Sequence, residues 1–151
     1  MGNSIVQSGG IAVKNVYPVI FTQTSDKKDT VLIEVPDFNI FTEGYGVIGA
    51  IEMARDAIGL AGITLEDMEQ EIPEASEIHA IDISALEFVK EGKSFVSLID
   101  IDFTEYRRKI DNRSVRRNVT LPNWLNREAE KAHINVSRVL QEALMQKMNL
   151  N

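Results

Sequence analysis

Cysteine is absent from all 151 residues, which removes a disulfide framework, thiolate metal sites and thiolate nucleophiles together. No apolar run approaches the length of a membrane span, and no basic-plus-apolar leader appears. Glycine arrays suited to phosphate are missing too, since Gly44-Tyr45-Gly46 lacks the rest of any such motif. The two histidines, His79 and His133, have no serine or carboxylate pattern beside them that suggests a nucleophilic triad. Basic charge is scarce over the first 106 residues, where 6 Lys/Arg face 19 Asp/Glu for a net −13. Residues 107–151 reverse this with 10 against 4, a net +6, so the whole chain carries −7. Such asymmetry argues for two jobs. The basic half suits nucleic acid, and the acidic half suits a basic protein partner or plain solubility. A cytoplasmic bacterial-type protein fits the lack of cysteine.

The basic half is the more informative. Val115, Val119 and Leu121 alternate with Arg116, Asn118 and Thr120, so the three polar side chains share one face of a strand. Arg, Asn and Thr can hydrogen-bond base edges, and the DNA major groove admits a two-stranded β-ribbon. A lone strand makes no ribbon, so a second chain must supply the partner. Pro122 suits the first turn of a helix, and Trp124, Leu125, Glu128, Ala129 and Ala132 follow at helical spacing. That helix is expected to stop near His133. Asn135 reads as the N-cap of a second helix, with Val136, Val139, Leu140, Ala143, Leu144 and Met148 on one stripe. Two such helices are too small to build a core alone, and oligomerisation is the usual remedy. The amides of Asn135, Val136 and Ser137 would be placed for a DNA phosphate.

This pattern resembles the ribbon-helix-helix family of dimeric repressors, through Arg116-Arg117-Asn118-Val119-Thr120-Leu121-Pro122, Leu125, Asn135-Val136-Ser137 and Val139-Leu140-Gln141-Glu142-Ala143-Leu144. The resemblance implies that Arg116, Asn118 and Thr120 read bases. It also implies a shared dimer core of Val119, Leu121, Leu125, Val139, Leu140 and Leu144. His133 stands where members usually have Gly, and His tolerates a left-handed backbone better than a β-branched residue.

In the acidic half, Val16–Gln23 and Thr30–Val35 predict a hairpin around the polar turn at residues 24–29. Phe38–Thr42 predicts a short third strand, and a helix follows Gly44 and Gly46 until Gly62 stops it. A second short helix is expected over Thr64–Glu71, with Thr64 as N-cap and Asp67 completing a capping box. Ser84–Glu91 fits helix or turn, and Ser94–Phe103 is the longest strand candidate, expected beside the hairpin. Residues 1–12 are small and polar, as in a flexible or vector-derived start.

The order of these pieces resembles the HicB family of antitoxins. Tyr17-Pro18-Val19-Ile20, Val35-Pro36-Asp37-Phe38, Phe41-Thr42-Glu43-Gly44, the Gly49–Gly59 helix and Ile72-Pro73-Glu74-Ala75-Ser76 carry the likeness. Asn39-Ile40 departs from it, where many members have a Pro-Gly turn. The resemblance implies an α+β chain with three parts. Residues 12–106 form a degraded ribonuclease H-like domain that binds toxin, 107–114 a linker, and 115–151 the ribbon-helix-helix domain. It further implies an antitoxin that inhibits a small basic ribonuclease toxin (HicA-like) and represses its own operon as a homodimer on operator DNA, without a cofactor.

A ribonuclease H-like outline invites a search for carboxylates that hold two metal ions. Asp100 and Asp102 alternate on one strand, with Asp37 and Asp82 as further candidates. Alternating Asp on a strand is more often a solvated face, so a non-enzyme without a metal site is expected. Two other readings stay open: a ribbon-helix-helix repressor whose N-terminal domain senses a small ligand, and a structural dimer with no nucleic-acid role.

Overall fold

The computed structural model describes residues 4–6 and 13–150. In chain order these form β1 (Ser4–Val6), β2 (Val13–Gln23), β3 (Thr30–Val35), β4 (Ile40–Tyr45), α1 (Gly46–Asp67), β5 (Lys93–Asp102), α2 (Phe103–Ile110), α3 (Asn123–Lys131) and α4 (Val136–Lys147). The polar turn between β2 and β3 is closed by Asp26, whose carboxylate accepts from the amides of Lys28 (3.1 Å) and Thr30 (3.0 Å) and from the Thr30 hydroxyl (2.6 Å). An Asx-type turn of this kind fixes the hairpin register. Ile20 thereby sits opposite Glu34 and Thr22 opposite Leu32.

All strand pairs are antiparallel. β5 pairs with β2 from Lys14↔Asp102 to Gln23↔Lys93, the neighbour expected from sequence. Asn15 pairs with both Ser4 and Ile101, and Phe21 with both Ile33 and Phe95. A strand has only two edges, so β1 and β3 share the one that β5 leaves free. The β1 pairing is a correction to the flexible start: Ser4–Val6 belongs to the sheet, and the other residues of that expectation lie outside those described. β4 pairs with β3 and closes that side as an edge.

Alternation decides what each face buries. Tyr17, Val19 and Phe21 of β2 join Val31, Ile33, Val35, Ile99 and Ile101 in one core, covered by Ala50, Ala54 and Ile58 of α1. The opposite face is also covered. Ile20, Thr22 and Glu34 are buried there, beneath a strap of 3-10 turns at Ile78–Ala80, Ile83–Ala85 and Glu87–Glu91 that lies against β2 and β5. Phe88 of the strap meets Phe41 of β4 edge-on, with centroids 5.6 Å apart.

Two expectations for this half fail. Gly62 does not end α1, which continues to Asp67 with no separate helix at Thr64. A Cβ at Gly62 would lie 2.0 Å from Cε1 of Phe103, so this glycine admits a neighbour. Thr64 is interior to the helix, and its hydroxyl donates to the Leu60 carbonyl at 2.7 Å. The helix ends one turn later in a left-handed cap at Glu69 (φ 55°), with Gln70 N donating to Leu65 O and Glu69 N to Glu66 O. The third strand also starts later than expected. Pro36–Phe38 forms a 3-10 turn, and Asn39 takes the left-handed conformation (φ 52°) that a Pro-Gly turn gives its glycine.

Candidate nucleic-acid interface and the acidic domain

The motifs of the acidic half prove to be a clamp. The Tyr17 hydroxyl donates to the Pro73 carbonyl at 2.8 Å, and its ring meets Phe38 edge-on at 4.9 Å. Burial pushes the Tyr17 hydroxyl up to about 12. Asp37 accepts from the Ser76 amide at 3.0 Å and also from the Ser76 hydroxyl. The Tyr17-Pro18, Pro36-Asp37-Phe38 and Ile72–Ser76 segments therefore hold one another, far apart in sequence.

The four carboxylates that could have suggested metal chemistry each have a structural partner. Asp100 is paired with Lys14 Nζ (2.9 Å) and Arg55 Nη2 (3.0 Å), and hydrogen bonds from those two cations hold its carboxyl below the usual range. Asp102 caps α2 by accepting from the Glu105 amide at 3.0 Å. Asp82 accepts from the Ser84 amide at 3.0 Å, and Asp37 holds Ser76. Two cations already neutralise Asp100, which would repel a divalent ion. Among the described residues, no group of three or more His, Asp or Glu side chains could hold a metal.

The residues first read as the start of a linker are helical. α2 runs through Arg107–Ile110. Phe103 anchors it in the core, Tyr106 donates to Asp56 at 2.7 Å, and Arg107 bridges Glu66 (3.0 Å) and Asp67 (2.9 Å). Polar composition hid this helix, because its partners lie on α1.

The basic tail follows. Residues 111–122 carry no regular secondary structure, so the strand expected over 115–121 is not formed in a single chain. A ladder needs a partner strand, and none of the described residues pairs with this segment. Arg116, Asn118 and Thr120 are exposed, and Val115 is 88 % exposed. Pro122 stands just before α3 as its N-cap, with its carbonyl accepting from the Asn126 amide.

The turn between the helices follows the sequence closely. His133 adopts φ 54°, with Ile134 N donating to Ala129 O (3.0 Å) and His133 N to Glu130 O (3.1 Å). That is a Schellman cap with histidine in the left-handed position usually taken by glycine. Asn135 caps α4, accepting from the Arg138 amide at 3.1 Å. The bond goes to the amide just beyond those of Val136 and Ser137.

Neither α3 nor α4 has a buried residue. Val119, Leu121, Leu125, Val139 and Leu144 are each between 37 and 50 % exposed, and Leu140 is half-buried. An open groove of about 700 Å³ runs between the expected strand and α4, lined by Val115, Arg117, Leu140 and Leu144 among others. The apolar stripes are present and uncovered.

A family model described as the HicB-like antitoxin of bacterial toxin–antitoxin systems matches residues 17–146. A chain of a toxin–antitoxin complex from Streptococcus pneumoniae shares the fold at a TM-score of 0.55, with 22 % identity over 89 % of this chain and 99 % of that one. The antitoxin HicB of Burkholderia pseudomallei gives a TM-score of 0.46 at 19 % identity, over 89 % and 96 % of the two chains. No curated protein matches. With its clamp motifs in place and the family pattern running through both halves, the chain belongs to the HicB-like antitoxin family of bacterial toxin–antitoxin systems.

Proposed function

We propose that this antitoxin works in the cytoplasm through two surfaces. The acidic, degraded ribonuclease H-like domain binds a small basic ribonuclease toxin of the HicA-like kind and covers its active site. The tail from residue 115 pairs with a second copy as a ribbon-helix-helix dimer, binds operator DNA and represses its own operon. The absence of any buried residue in α3 and α4 supports the dimer. A helix pair gains stability by burying its apolar stripe, and among the described residues this stripe has no cover. Pairing two copies of residues 115–121 would complete the ribbon and cover Val119, Leu121, Leu125, Val139, Leu140 and Leu144. Arg116, Asn118 and Thr120 would then face outward together, with Val136 and Ser137 at the start of α4 for a phosphate.

Replacing Arg116, Asn118 and Thr120 with Ala tests the DNA surface. Each bidentate base contact discriminates by about 1–3 kcal/mol, so the triple variant should lose operator preference while remaining dimeric. Operator affinity unchanged by the triple variant would remove the ribbon from the interface.

A further inference from the structure

Glu34 of β3 is only 7 % exposed, and its Oε2 is buried without a hydrogen-bond partner among the described residues. An unpaired carboxylate oxygen away from water is costly. Its neighbours do not compensate it. Ile20 on β2 and Phe41 on β4 stand directly across from it on the same face. The strap brings Glu87, a second negative charge, and Phe88, whose ring meets Phe41. Burial first, and then the charge of Glu87, raise the Glu34 carboxyl. No salt bridge reaches Glu34 among the described residues. Phe41 lies on the edge strand and is 45 % exposed, so the cluster opens at the rim of the sheet.

Two carboxylates beside two aromatic rings, with one acceptor unfilled, suit an ammonium or guanidinium group. The carboxylates supply charge-assisted hydrogen bonds, and the rings supply a cation–π face. We propose that Glu34, Glu87, Phe41 and Phe88 form a receptor for one lysine or arginine side chain of the basic protein partner. The inference rests on the antitoxin reading above and names the position where that partner engages. The inserted cation donates to Glu34 Oε2 and offsets the repulsion from Glu87. None of the strap's turns has a buried residue, so little holds it against yielding at the rim.

The test uses the full-length chain and the purified product of the small open reading frame adjacent to its gene. Glu34→Gln keeps the shape and removes the charge, so the free variant should melt no lower than the wild type. Its affinity for the partner should fall at least about 30-fold, the loss expected on breaking a buried charge pair. Against a set of partner Lys→Ala and Arg→Ala variants, one substitution should weaken the wild type strongly and Glu34→Gln little. Phe41→Leu and Glu87→Gln should each weaken binding several-fold, and they carry the test if Glu34→Gln melts lower. Unchanged affinity in these variants, or losses that add for every partner substitution, would overturn the receptor and leave the antitoxin reading intact. No binding by the wild type would overturn the antitoxin reading and the receptor with it.

Discussion

The same substitution at two glycines of α1 should move stability in opposite directions. A Cβ at Gly49 meets nothing within 4 Å, whereas a Cβ at Gly62 meets the Phe103 ring at 2.0, 2.5 and 2.7 Å. Glycine inside a helix costs about 0.5–1 kcal/mol relative to alanine. Gly49→Ala should therefore stabilise by about that amount, or roughly 1–4 °C in Tm for a chain of this length. Gly62→Ala gains the same helix term but drives a methyl into a ring that is 4 % exposed. Overpacking of this kind costs about 1–3 kcal/mol, so the net effect is a loss of up to about 2.5 kcal/mol. Urea denaturation at one fixed protein concentration measures both, since the proposed dimer would make stability depend on concentration. The cycle with Phe103→Leu isolates the cause. Removing the ring should restore the helix gain to Gly62→Ala. If Gly62→Ala cost as much in the Phe103→Leu background as in the wild type, the ring would not be the reason for the glycine. A terminator at Gly62 would then regain its claim, and the continuous α1 would be wrong.

Leu140→Asp should convert the proposed dimer to monomer in sedimentation or light scattering, because a charge would enter the proposed shared core; a dimer that persisted would place the interface elsewhere. Acid should weaken the fold through Asp100. Its folded pKa is depressed by Lys14 and Arg55, so its contribution is present above the unfolded carboxyl value of about 3.9 and is lost as pH falls through the folded one. Asp100→Asn should lower stability at neutral pH and flatten its decline in urea titrations from pH 5 downward. Because Asp100 is 44 % exposed, solvent screening keeps this effect small.

Local signals in the sequence located much of this fold. The Thr30–Val35 strand, the turn before it and the β5 neighbour of β2 follow from alternation and turn chemistry. In the tail, Asn135 caps α4 as its residue type indicates, and His133 takes the left-handed position that the family's usual glycine at that place implies. The misplaced features depend on partners distant in the chain. Gly62 reads as a stop until Phe103 is seen against it, and Arg107–Ile110 reads as linker until Glu66 and Asp67 are seen beside it. Ser84–Glu91 reads only as helix or turn, because 3-10 turns have no apolar period to detect, and its place over Glu34 depends on the fold. The carboxylate search showed the converse problem. Asp100 and Asp102 alternate as a metal pair would, yet Lys14 and Arg55 had to be placed in space before the spacing lost its chemical meaning. The ribbon is a further case, since the proposed partner strand would come from a second copy.

The clamp and the caps bear on how one short chain would separate the two proposed tasks. Asp37 and Tyr17 close the acidic domain on itself, and α2 docks onto α1, so this half is complete within one copy. The tail lacks that completeness, because neither α3 nor α4 buries a residue. In the proposed dimer, linking two copies through their tails would bring two acidic domains together, and toxin occupancy would then alter DNA binding through geometry or avidity.

Growth of a bacterial host that expresses the small open reading frame adjacent to this gene tests the central claim most directly. Growth should arrest when that product is made alone and resume when the full-length chain is made with it. Arrest that persists in the presence of soluble, folded full-length chain would contradict the antitoxin account.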